Sequence, residues 1–185
     1  MTRAGDAMNG RGAPLPTSAG RRRAAGLLAA AVLLWTVPVR GQQTAPRRDP
    51  LLDALAGRWR LTRSIRGTEV DNSVQADWVL GDQFLRLHMR DVAVPPRYEA
   101  IVMLGWQPRQ QRYVAFWTDT FGPAGAAVGY AKRDGDRLPF VFDYPDGPFF
   151  NTFEWNERDS TWTFRLESVA KDGTRQLFAI DRLRR

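Results

Sequence analysis

Thr161-Trp162-Thr163-Phe164-Arg165-Leu166-Glu167-Ser168 sets Trp162, Phe164 and Leu166 against Thr161, Thr163, Arg165 and Glu167. Successive side chains of an extended strand point to opposite faces, so this period of two describes a strand with one buried and one wet face. The same period runs through most of the chain before it and after it. Near its beginning, Trp59, Leu61 and Ile65 oppose Arg58, Arg60, Thr62 and Ser64, with Arg63 the one charge on the apolar side. Further strands are expected over 74–80, 84–90, 98–106, 113–119, 126–132, 138–144, 149–155 and 175–183, which makes about ten. Gly81-Asp82, Pro95-Pro96, Gln107-Pro108, Gly122-Pro123, Asp134-Gly135-Asp136, Asp146-Gly147-Pro148 and Asp172-Gly173 supply the turns between them. Short connections imply sequential antiparallel pairing. An open sheet of that width would curl or split, and closing it removes the exposed edges. The expected fold is all-β: a single antiparallel up-and-down barrel, preceded by a short helical turn at Leu51, Leu52 and Leu55.

Composition bounds the chemistry. The 185 residues include no cysteine, which excludes disulfides, thiolate metal sites and a cysteine nucleophile. The formal charge of +7 is concentrated at the front of the chain. The first 41 residues hold Arg3, Arg11, Arg21, Arg22, Arg23 and Arg40 against Asp6 alone. From totals of 27 and 20, this leaves 21 basic against 19 acidic residues from Gln42 onward. A surplus that disappears with the leader is no sheath for phosphates, so nucleic acid is not an expected partner. Residues 20–41 follow the pattern of a secretion signal: Arg21, Arg22 and Arg23, an uncharged run over 24–39, then Val39 and Gly41 before a cut. The run contains Pro38 and is shorter than a bilayer span; a retained anchor is the alternative. Arg22-Arg23 leaves the twin-arginine route open beside the general one. The expected organisation is a cleaved signal peptide over 1–41 that engages the export machinery, a flexible tether over 42–50 and a barrel domain over 51–185. The mature protein is then periplasmic or secreted from a bacterium.

Gly57-Arg58-Trp59 at the start of the first strand, just after a helical turn, resembles the Gly-x-Trp opening of lipocalins and their calycin relatives. In that superfamily the tryptophan closes the barrel floor and an arginine from the last strand packs over it. The resemblance therefore assigns Gly57 and Trp59 to floor closure, with Arg182 or Arg184 as the arginine. Residues 51–185 also resemble the bacterial secreted proteins grouped as domain of unknown function 1579. The carrying motifs are Leu55-x-Gly57-x-Trp59, Gly81-Asp82-Gln83-Phe84-Leu85 (one residue longer than the family's form), Leu104-Gly105-Trp106, Tyr113-Val114-Ala115-Phe116-Trp117-Thr118-Asp119 and the terminal Asp181-Arg182. That resemblance implies a lipocalin-like barrel and no settled activity.

Large rings recur along the strands in greater number than a small barrel needs to plug its middle. A barrel of this size has room for one small ligand. An apolar or amphiphilic molecule is the expected partner, with Trp106, Trp117, Phe142 and Trp155 as wall residues; a solid core is the competing reading. Asp119 and Glu154, acids in aromatic-rich strands, are the candidates for an alternative in which an interior carboxylate catalyses proton transfer. Asp143 lies in a similar setting, and pairing with Arg63, Arg86 or Arg165 would explain such acids without catalysis. A third alternative is a ligand-free interaction module using the strands with aromatics on both faces. His88, the sole histidine, falls opposite Leu85, Leu87 and Met89 and so is expected on the outer face; an interior polar histidine, or a haem-binding one in the reverse orientation, is the alternative. No cofactor and no metal site is expected. The glycine-rich run over 122–129 has no phosphate-binding pattern and is expected to be a loop at the barrel mouth, with Gly129 permitting a bend. Oligomeric state is left open.

Overall fold

A computed structural model describes residues 48–65 and 67–185. The leader, its cut after Gly41 and most of the tether lie outside the described residues. Asp49 caps the helix α1, Pro50–Leu55, by accepting the Leu51 N–H at 2.8 Å, and Pro50 stands at its first turn, where no amide donor is needed. Leu51, Leu52 and Leu55 are buried. The helix is too short to persist alone, and the barrel holds it: Trp59 Nε1 donates to the Leu55 carbonyl at 2.8 Å, and Tyr113 Oη donates to the Asp49 carboxylate.

Ten strands follow among the described residues: β1 Gly57–Ile65, β2 Thr68–Val79, β3 Phe84–Asp91, β4 Glu99–Gln107, β5 Arg112–Asp119, β6 Ala127–Ala131, β7 Arg137–Tyr144, β8 Gly147–Asn156, β9 Thr161–Val169 and β10 Arg175–Arg184. Each pairs antiparallel with its chain neighbours, and β1 pairs with β10, from Arg60 opposite Arg184 to Ile65 opposite Ala179. The sheet closes into the expected up-and-down barrel. The largest departure is β2, which begins at Thr68 although regular alternation starts only at Val74. Asp71, Asn72 and Ser73 carry no apolar signal, yet backbone pairing with β1 extends to Ile65 opposite Thr68.

Alternation gives every strand an inner face: Leu85, Leu87 and Met89 in β3; Val102 and Leu104 in β4; Leu138, Phe140 and Phe142 in β7; Trp162, Phe164 and Leu166 in β9. Full burial of each large apolar side chain contributes about 1.5–3 kcal/mol before entropy is counted. The β1–β2, β3–β4, β5–β6, β7–β8 and β9–β10 connections lie at one end, the mouth. The others lie at the opposite end with α1 and the C-terminus, the floor. There Trp59 and Trp155 meet edge to face, Trp155 packs on Trp162, and Phe153 stacks on Phe164 at 3.8 Å between centroids. The cation over Trp59 is Arg185, 4.7 Å from the ring centroid, and not Arg182 or Arg184. Asp181 and Leu183 point inward, which turns Arg182 and Arg184 outward.

Candidate functional site

Above that packed floor the inner face changes character. In β1 the inward positions run Trp59, Leu61, Arg63, Ile65, and in β10 they run Leu183, Asp181, Ala179. Arg63 and Asp181 are register partners across the closing seam, so two opposite charges meet inside the barrel. Arg63 donates from Nε and Nη2 to the two carboxylate oxygens at 2.7 and 2.6 Å, a bidentate fork. Asp181 is 1 % exposed. Burial disfavours the Arg63 charge, but the hydrogen bonds and field of Asp181 outweigh it and hold the guanidinium above its ordinary pKa.

The mouth side of this pair is a cavity of about 740 Å³. Trp117, Phe142, Tyr144, Phe149, Leu166 and Phe178 form much of its apolar wall. Phe178 reaches it because β10 shifts register between Leu177 and Ala179. Phe142 lies over Gly129, its opposite number in β6, where an added Cβ would sit 2.6 Å from the ring. Gly129 is therefore needed for close approach of a ring rather than for the expected bend. Tyr98 stands beside Arg63, whose guanidinium carbon is 5.3 Å from the ring centroid. Its hydroxyl is pushed up to about 12, by burial foremost, with the field of Asp119 adding and that of Arg63 opposing. Tyr144 is raised by burial and then by Asp119. Asn72 and Asn151, 2 % and 1 % exposed, contribute to the same wall, and the Oδ1 atom of each has no hydrogen-bond partner. A buried acceptor left unmatched costs about 1–3 kcal/mol, so these two positions cost the wall stability.

The four expected wall residues divide in two. Trp117 and Phe142 face the cavity, 6.1 Å apart. Trp106 packs against Tyr113 at 4.9 Å, and Trp155 against Trp59 and Trp162; both belong to the floor and not to the cavity. Of the two candidate carboxylates, Glu154 faces outward and pairs with Arg137 at 3.0 Å, so it is no interior acid. Asp119 lines the cavity and accepts from Phe121 N at 3.0 Å, Trp117 Nε1 at 3.2 Å and Tyr98 Oη at 3.4 Å. Asp143 is exposed. The arginines pair elsewhere: Arg63 with Asp181, Arg86 with Asp77, Arg165 with Glu167. His88 is on the outer face, bonded to Glu99. Tyr98, Asn72, Asn151 and Asp181 are site residues that the sequence reading passed over; their signal is a polar side chain at an apolar position in the alternation.

No family model matches this chain, and no curated protein does. Among solved structures it is similar to the crystal structure of Rv2717c from M. tuberculosis, at 18 % identity and a TM-score of 0.49, over 75 % of this chain and 99 % of that one.

Proposed function

We propose that this chain is an exported bacterial barrel, of the kind grouped as domain of unknown function 1579, whose cavity binds one small apolar or amphiphilic molecule. The observation that carries the reading is the cavity itself: about 740 Å³, walled by aromatic rings, with a few polar side chains such as Asn72, Asp119 and Asn151 in the same wall. Apolar walls with a few placed polar groups are what small-molecule sites require. Trp117 and Phe142 remain wall residues in this reading, and Tyr144, Phe149 and Phe178 take the places of Trp106 and Trp155. The floor is packed, so a ligand enters between the loops at the mouth. The signal-like 1–41 segment supports delivery to the periplasm or beyond.

Titration with N-phenyl-1-naphthylamine, a neutral apolar fluorophore, tests this. One saturable site is expected, and Ile65→Trp, which adds bulk at the mouth, should weaken it by about tenfold or more. No saturable binding, or equal binding by the variant, would overturn the reading.

A further inference from the structure

We infer, building on the ligand cavity proposed above, that the polar end of the ligand is an organic cation, an amine or quaternary ammonium, seated at Asp119 among Tyr98, Trp117 and Phe121. Among the described residues, the acids and bases that line the cavity are Glu69, Asp71, Asp91 and Asp119 against Arg63 and Arg97. Arg63 adds no free positive charge, since Asp181 takes it in a bidentate pair. Acids therefore outnumber bases in this lining. Asp71 is held by Arg60 at 2.6 Å, and Asp91 accepts the backbone N–H groups of Ala93 and Arg97.

Asp119, like Asp91, is held by neutral donors alone, but two of its donors are aromatic side chains of the cavity wall. Its three donors, a phenol, an indole and an amide, are all neutral, and among the described residues it has no cationic partner. Neutral donors fix a carboxylate in place without cancelling its charge. Beside aromatic rings and half out of water, that charge draws a counter-ion more strongly than it would in bulk water. The rings around it suit the same guest: indole and phenyl faces attract cations, and the Arg63 guanidinium already rests against Tyr98. Phe121 stands 79 % exposed at the rim, 6.0 Å from Tyr98, and its own amide holds Asp119. An exposed phenyl beside an uncompensated acid at a cavity mouth is explained by a guest that covers both. An anionic head would meet the like charge of Asp119.

Three probes with the same chain separate the possibilities: octyltrimethylammonium, 1-octanol and octanoate, each titrated below its micellar concentration against the tryptophan fluorescence of the full protein. The ammonium should bind about tenfold more tightly than octanol, and octanoate more weakly than either. Asp119→Asn keeps the shape of the side chain and should collapse the ammonium preference to about twofold or less. If that variant does not fold, Phe121→Ala carries the same test with a loss of about threefold for the ammonium alone. Octanol binding as tightly as the ammonium, or octanoate binding best, would overturn the cation and leave the cavity reading standing. Binding by none of the three would overturn both.

Discussion

The two ends of the barrel are made from the same strands and differ only in what occupies the inward positions. At the floor these are Trp59, Trp155, Trp162, Phe153 and Phe164, packed ring against ring under α1. At the mouth the alternation continues, but it delivers Arg63, Asn72, Asp119, Asn151 and Asp181 among the aromatics. Rings can be pressed together until no space remains, whereas polar groups that need partners and hydration keep a space open. The difference teaches that the floor holds the fold and that the mouth gives up some stability to keep a cavity open.

The largest expected effect sets the two ends directly against each other. Trp162→Ala leaves a cavity in a fully buried cluster and should lower unfolding free energy in urea by about 3–5 kcal/mol. Phe121→Ala at the exposed rim should change it by no more than about 0.5 kcal/mol. Similar losses for both would break the comparison. The boundary between the ends comes next. Asp181→Ala strands a buried guanidinium and should lose about 3 kcal/mol, while Arg63→Met combined with Asp181→Leu should return close to the parent stability. A double variant as unstable as the single one would mean that the pair is more than a replaceable layer between core and cavity.

The smallest effect is one of pH. Tyr98 ionises near 10.0 when unfolded and at about 12 when folded, because the neutral phenol is favoured inside. Its contribution to stability is therefore complete below pH 10 and lost as pH rises toward 12. Phenolate absorbance should show a late-titrating tyrosine that Tyr98→Phe removes and that Asp119→Asn shifts downward. Titration of Tyr98 at its ordinary value would place it in water rather than in the wall.

Strand count, order and facing were legible because period-two alternation is written residue by residue, and the short turns leave sequential pairing as the simple topology. Height along the barrel axis was not. Trp106 and Trp155 face inward, as their parity requires, but the stagger between strands sets them at the floor while Trp117 and Phe142 reach the cavity. Arg182 was a misjudged parity: Asp181 and Leu183 are inward, and the arginine over Trp59 is Arg185, one residue past β10. The charge on the apolar side of β1 was visible at Arg63, but its partner came from the far end of the chain through barrel closure. Asn151, between Phe149 and Phe153 on one face, carried the same kind of signal and is legible only once that face is known to line an opening.

The central claim, that the mouth holds a small molecule, is tested most directly by native mass spectrometry of the protein purified from its own host, with extraction of whatever it carries. The account predicts one passenger per chain, lost on denaturation, with an apolar body and a cationic nitrogen. A bare chain mass, from a protein that also fails to bind N-phenyl-1-naphthylamine, would contradict it.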